Sequence, residues 1–486
     1  MKLKLLLDMK EMRKLKGLQN KNENLRQTSL YESFGHLPEL VLFFASLGSH
    51  ISGSACHYYK YFYFSERRNF QFDFRNHKQT CAKHLNTTQS KQQTMVQSDM
   101  SSFQIIDIYF GMVPTILACL FLGPISDRVG RKPIIKIGLI GMILTQIMHL
   151  AVIHMDWPIW VFYLVTLMRS ISGGELGIRI AAMAYVVDIC KETKSLAWKL
   201  ATLQCVELLG AMISSYTSGP LIQNTGFQFP IMLSLALQIT PMVYTVCFLK
   251  ESYKMCEKDR LPAKEILKQP LHLITVFTKQ RKTRKELYLL FAVFIMLSET
   301  THAFDSGGAL FLLGQPFCMP PNLLSYLHGM KITLSVTGLL FSTKLLAKYL
   351  SSLTLCLVSI FVTIIDRSSM VVIETTLMVF LFGGLRFFEG WYSPILRSFI
   401  SSSVNEAEQG SILCLLSIMV TILTSITKTI FLTLYTKLLQ HGKVRWFFVL
   451  TSPLIIMATP LLIYFWLVKK KREKSEKEFG NKEIKD

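Results

Sequence analysis

Gly123-Pro124-Ile125-Ser126-Asp127-Arg128-Val129-Gly130-Arg131-Lys132-Pro133 is a short polar interruption between two apolar runs, 102–122 and 134–154. About twenty apolar residues let a helix cross the hydrocarbon of a bilayer, so the interruption reads as a tight turn joining two membrane spans. Gly123 and Gly130 permit close helix approach and a sharp reversal. Asp127 is suited to pair with a cation or a helix N-terminus in one conformational state and to let go in another. Arg128, Arg131 and Lys132 add cations at the same place, on a turn expected to be cytoplasmic. Together Gly123, Asp127, Arg128, Gly130, Arg131 and Lys132 are a candidate conformational latch; a solvated turn beside lipid headgroups is the plainer alternative.

Runs of similar length recur along the whole chain of 486 residues, which is 50% hydrophobic and only 17% charged. Soluble domains carry about 25% charge, so an ordinary soluble protein is excluded. Six spans are expected over 37–249 and six more over 287–468, an all-α integral membrane fold of twelve transmembrane helices in two six-helix bundles. The net charge of +21 would suggest nucleic acid in a soluble chain. Here Lys and Arg gather before Tyr31, between Lys250 and Lys285 and after Val468, the bias of cytoplasmic flanks beside membrane lipids. The expected organisation is therefore a cytoplasmic tail 1–36, a bundle 37–249, a central cytoplasmic loop 250–286, a bundle 287–468 and a cytoplasmic tail 469–486 that is expected to be disordered. No nucleic-acid partner is implied. No cleavable leader is expected, because the first 36 residues are polar and basic and the first span would serve as the targeting signal.

The first span is expected to end at Tyr59 and to lead into a polar outward loop over 60–100. That loop holds Cys81 and the sequon Asn86-Thr87-Thr88, a candidate glycosylation site if the loop is lumenal or extracellular. Ten cysteines with no CxxC pair give no metal framework. Cys81 and Cys318 both fall in outward loops, where an oxidising compartment permits a bridge between the halves. Trp157, Trp160, Trp391 and Trp446 lie near expected span ends, as interfacial anchors do.

The turn closely matches the G-x-x-x-D-R-x-G-R-K motif of the major facilitator superfamily. More narrowly, Ala184-Tyr185-Val186-Val187-Asp188, Phe248-Leu249-Lys250-Glu251-Ser252, Glu408-Gln409-Gly410 and Gln315-Pro316-Phe317-Cys318 resemble A-Y-V-A-D, F-L-K-E-S, E-Q-G and S-P-F-C of solute carrier family 46. The resemblance implies proton-coupled transport of an organic solute and supports pairing Cys81 with Cys318. It also implies substrate roles for Arg169 in span 4 and Arg397 near the end of span 10. Two positions depart from the family's folate transporters. Gln204 stands where their span 5 has a glutamate, with Glu207 one turn away, and Thr301 stands where span 7 has a histidine, with His302 beside it.

An ionisable side chain in hydrocarbon costs several kcal/mol, so each one inside a span should face a partner or a wet cavity. Glu299, His302 and Asp305 lie on one side of span 7 before Gly307-Gly308, a possible bend, and form a candidate proton-coupling trio; an internal polar cluster that orders packing is the alternative. Glu175 and Arg179 have the i,i+4 spacing of a local ion pair, while Arg169 lacks a partner in its own helix. Arg386 and Glu389 are spaced to neutralise each other. Lys331 and Lys428 are lone cations that would bind an anion or pair with Asp107 or Glu374.

The expectation from these residues and from the resemblance is a secondary transporter of a small organic anion, driven by protons and working by alternating access in a plasma or endolysosomal membrane. Arg169, Arg397 and Gln204 would bind the solute; Glu207, Glu175, Glu299, His302 and Asp305 would carry protons. No cofactor or metal is implied, and no GxxxxGK, HExxH or GxSxG element suggests ATP-driven or hydrolytic chemistry. The rival class is a non-transporting receptor or scaffold on the same frame.

Overall fold

The computed structural model describes residues 37–70, 87–189, 193–252, 275, 277–281, 284–314, 316–344, 349–404 and 409–483. Cys81 and Asn86 lie outside the described residues. The N-terminal half comprises α1 (Leu37–Arg67), α2 (Thr87–Val129), α3 (Arg131–His154), α4 (Val161–Ile171), α5 (Gly174–Ile189), α6 (Thr193–Thr225) and α7 (Gln228–Cys247). The C-terminal half comprises α8 (Arg284–Leu313), α9 (Pro321–Lys344), α10 (Ser352–Ser369), α11 (Thr376–Gly383), α12 (Arg386–Glu389), α13 (Tyr392–Ser402), α14 (Gln409–Gln440), α15 (Trp446–Leu450) and α16 (Ser452–Glu483). Read as broken columns, α4 with α5, α11 to α13, and α15 with α16 bring the described helices to twelve spans, six in each half. Among the described residues, seven helices are individually long and apolar enough to cross a membrane. Large apolar side chains such as Val243, Phe361 and Leu381 point outward, as lipid contact requires.

The breaks have local causes. Gly173 and Gly174 adopt φ of +78° and +48° and end α4 within span 4, a conformation glycine reaches without a Cβ penalty. Ser351 and Thr375 cap α10 and α11 by accepting from the backbone N–H of Thr354 and Met378. No break occurs at Gly307-Gly308: α8 runs through both, and the missing Cβ of Gly307 makes room for the ring of Phe447.

Packing within the molecule differs between the two ends of the helical halves. One aromatic core joins the halves, with Tyr61, Phe103 and Phe162 of the first half clustered with Phe304, Phe311 and Phe447 of the second. Toward the other end each half keeps a core of its own, around Leu139, Ile178 and Tyr185 in one and Leu290, Leu396 and Leu462 in the other. Hydrogen bonds follow the same division. Gln97 donates to the Leu310 carbonyl at 3.2 Å and accepts from the Tyr435 hydroxyl at 3.1 Å, and Ser101 donates to the Leu432 carbonyl at 3.1 Å. The halves are thus closed together at the end bearing residues 97 and 318.

Several expectations need correction. The segment 60–100 is not chiefly loop: α1 runs on to Arg67 and α2 begins at Thr87. Lys60 looked like a span end but is inside the bundle, 3.2 Å from Asp107 and over the rings of Phe103 and Phe162 at 4.8 and 4.7 Å. A neutralised ammonium on aromatic faces no longer demands water. Asp107 also accepts from Thr166 at 2.6 Å, so it is not the partner of Lys331 or Lys428. Helix α10 passes Ile365 to include Asp366 and Arg367. The tail continues α16 to Glu483, in keeping with the strong helix propensity of its Lys and Glu residues. Trp391 is buried at 2% exposure and is no interfacial anchor, whereas Trp160 and Trp446 are exposed.

Candidate functional site in the central cavity

The turn at residue 130 is built by three sequence segments. Helix α2 extends through Gly123 to Val129, so the reversal is made by Gly130 alone, at φ +104°. The Glu251 carboxylate accepts from the backbone N–H of Arg131 at 2.7 Å and of Lys132 at 3.2 Å, placing an anion on the N-terminus of α3. Arg131 grips Asp188 through Nε at 2.8 Å and Nη2 at 3.3 Å, and its Nη1 donates to Ser126. Ser252 donates to Asp188 at 3.1 Å, and Lys132 Nζ donates to the Val246 carbonyl at 3.2 Å. The side chains of Asp127 and Arg128 lie outside the described residues.

Between the halves lies a cavity of about 450 Å³. Its walls come from α1, with His50 and His57, from the broken span 4, with Arg169 and Glu175, from α6, with Ser215 and Ser218, and from α9, with Ser325 and His328. The spacing of Glu175 and Arg179 suggested that those two would pair, yet the partners are exchanged. Arg169 Nη2 lies 3.6 Å from Glu175 Oε2, and Arg179 bonds to Glu207 of α6. The break at Gly173 and Gly174 is the cause, since it returns the start of α5 beside the end of α4. Ser49 donates to Glu175 Oε2 at 3.0 Å. Gln204 is exposed and does not line the cavity, nor does Glu207.

The charged residues of the second half form a chain rather than a cluster on one helix. Arg386 bonds to Asp305 at 3.2 Å and to Glu389 at 2.6 Å; Glu389 also bonds to Arg367, which bonds to Asp366 at 2.7 Å. Successive steps of three residues turn about 60° around a helix, so the span 7 trio diverges. Glu299 faces α14, accepting from Thr424 at 3.0 Å, while Asp305 faces α12. His302 lies within electrostatic range of Asp305, Lys428 and Arg386. Asp305, His328 and Lys331 line a recess of about 20 Å³ that shares His328 with the cavity, enough for one water. Arg397 is exposed, 5.4 Å from the Phe294 ring centroid and within electrostatic range of Arg179 of the other half, and does not line the cavity.

Sequence reading missed His50, His57 and His328, which gave no spacing signal, and the buried pair Asp366-Arg367, which had marked a span end. Cys318 is disulfide-bonded rather than free. Among the described residues no group of three His, Cys, Asp or Glu side chains is arranged to hold a metal ion.

Two helical halves around a polar cavity, with a braced turn after span 2, define a membrane transporter, and the family model of the Major Facilitator Superfamily matches residues 82–427. The chain belongs to that superfamily and is a transporter rather than an enzyme. Among its relatives is the lysosomal proton-coupled steroid conjugate and bile acid symporter of Gallus gallus, 23% identical over 77% of this chain and 81% of the relative. The proton-coupled folate transporter of Bos taurus is 23% identical over 77% of this chain and 80% of its own length. Both are members of solute carrier family 46, as the motifs in the sequence indicated. Among solved structures, the human organic anion transporter TETRAN superposes with a TM-score of 0.59 at 14% identity, covering 89% of this chain and 99% of that one. A POT family transporter in complex with 5-aminolevulinic acid gives 0.58 at 14% identity, covering 87% and 95%. These structural likenesses concern the fold.

Proposed function

We propose that the chain is a proton-coupled symporter of a small organic anion, working by alternating access to the central cavity. The observation that carries this reading is the cavity itself: Arg169 offers a cation and Glu175 a titratable carboxylate side by side, midway along a broken span between the two halves. Closure at the end bearing residues 97 and 318 leaves the other end, with the Gly130 turn, as the open side. On the positive-inside bias that side is cytoplasmic, with both termini beside it.

The remaining roles belong to the same proposal. Arg397 and Gln204 meet the solute on its way out, Glu207 exchanges protons with Arg179 as its counter-ion, and Glu299, His302 and Asp305 relay protons in the second half. The braced turn, including Asp127 and Arg128, is the latch. Cys81 is the partner of Cys318, and Asn86 carries a glycan in an outward segment. The resident membrane is plasma or endolysosomal, by analogy with the relatives.

The test is uptake by proteoliposomes of three radiolabelled probes: folic acid, cholic acid and estrone sulfate. An inward proton gradient should drive accumulation of at least one probe, and a protonophore should abolish it. Uptake unaffected by either would overturn proton coupling; binding without flux would favour the receptor reading.

A further inference from the structure

We propose that Glu175 is an internal competitor for the substrate at Arg169, so that each proton taken up by Glu175 frees Arg169 for the carboxylate of one solute molecule. This deepens the transport reading above and rests on it. Residues six apart are about 9 Å apart along an unbroken helix and on different faces. Here the left-handed Gly173 and Gly174 fold the chain so that Arg169 and Glu175 meet across the break. Both open onto the cavity, and the Arg169 side chain is 40% exposed.

The contact is an ion pair without a hydrogen bond. At 3.6 Å the guanidinium is held by charge, not by a directed N–H···O bond, so an incoming anion has little to break. Glu175 is better anchored by Ser49, at 3.0 Å. A carboxylate is the group already resident at Arg169, and a planar solute carboxylate is the chemistry that replaces it most directly.

Charge balance couples the two events. Empty, Arg169 and Glu175 sum to zero. A solute carboxylate beside Arg169 and an ionised Glu175 would leave a net negative charge in a low-dielectric cavity, which is costly. When a proton bonds to the Glu175 carboxylate and the solute takes its place at the guanidinium, the site is again neutral, and both forms can pass between inward and outward states. The surrounding charged and titratable groups leave Glu175 in this role. His50 and His57 of α1 and His328 of α9 line the same cavity. His149 of α3 is within electrostatic range of Arg169. Arg179 of α5 is engaged by Glu207 of α6, which also acts electrostatically on Glu175. Asp107 of α2 is engaged by Lys60 and Thr166.

The experiment compares wild type, Glu175→Gln and Glu175→Asp in proteoliposomes with folic acid and cholic acid as carboxylate probes and estrone sulfate as the non-carboxylate. For wild type the apparent affinity for a carboxylate should weaken with rising pH, approaching about tenfold per pH unit once Glu175 is ionised. Glu175→Gln should flatten that slope and carry one proton fewer with each solute molecule, and Glu175→Asp should restore both. A Glu175→Gln protein that keeps the wild-type slope overturns the inference, as does preference for estrone sulfate. A second readout needs no solute. Phenylglyoxal modification of Arg169, read by peptide mass spectrometry, should be several-fold faster in Glu175→Gln than in wild type; equal rates overturn the inference. If wild type moves none of the probes, the transport reading fails while the labelling comparison still decides the pair.

Discussion

The carboxylate of Glu251 occupies the space that a side chain on residue 130 would need: a Cβ built on Gly130 would stand 2.6 Å from Glu251 Oε2. The same carboxylate accepts from the first backbone N–H groups of α3. Residues from the turn and from the end of span 6, far apart in sequence, are thereby one structural unit, with Asp188 at the end of span 4 completing it through Arg131.

Gly130→Ala should therefore destabilise the protein on two grounds, the positive φ and the collision with Glu251. A non-glycine residue in such a conformation costs about 1–3 kcal/mol. A fall of several degrees in the melting temperature of the detergent-purified protein is expected, and an unchanged melting curve would contradict this account of the turn.

Arg367 is the centre of the buried chain in the second half, with 0% side-chain exposure, bonds to Asp366 and Glu389, and its guanidinium 3.7 Å from the Phe304 ring centroid. Arg367→Met would leave two buried carboxylates without it. Removing one member of a buried pair costs about 3–5 kcal/mol, so the single variant should be poorly expressed or aggregate on size-exclusion chromatography. Adding Asp366→Asn should recover part of the loss, because it removes one of the stranded charges.

How far the sequence announced this architecture depends on which interaction is asked about. The Gly130 turn, the two sets of six spans and the segments around Asp188 and Glu251 were legible because hydropathy and short motifs are local. Arg386 with Glu389 was legible for the same reason, as an i,i+3 pair on one short helix. Arg169 and Arg179 were assigned the wrong situation because their partners depend on a break in span 4 that spacing rules assume away. Asp366 and Arg367 were cut off, and Lys60 was sent into a loop, because a hydropathy window treats charge as the end of a span. Arg367 and Lys60 are each neutralised by a residue more than twenty positions away and packed on aromatic rings, and no local window contains that information. The cavity histidines come from helices separated in sequence and converge only in the folded chain.

Gln97 contributes to closure at the end bearing residues 97 and 318 by bonding both the Leu310 carbonyl and the Tyr435 hydroxyl. Gln97→Ala removes two bonds that exist only while the halves are closed there. At about 1 kcal/mol each, the equilibrium should move more than tenfold toward the outward-open state. A cysteine introduced by Ser54→Cys in the cavity should then react faster with a membrane-impermeant maleimide added from outside. No change in rate would show that these bonds do not hold the gate.

Lys60 and Asp107 tie α1 to α2 beside the aromatic core. Lys60→Met should lower the melting temperature, because Asp107 would keep only Thr166 as a close partner, and Lys60→Met combined with Asp107→Asn should be the more stable of the two. The reverse order would mean that the pair contributes by something other than charge compensation.

The most direct measurement of the transport account is accumulation of folic acid and cholic acid in sealed proteoliposomes under an imposed inward proton gradient, for wild type and Arg169→Ala side by side. Accumulation above equilibrium in wild type, abolished by a protonophore and reduced at least tenfold by Arg169→Ala, is the predicted result. Equal accumulation by the two proteins, or uptake indifferent to the gradient, would contradict it.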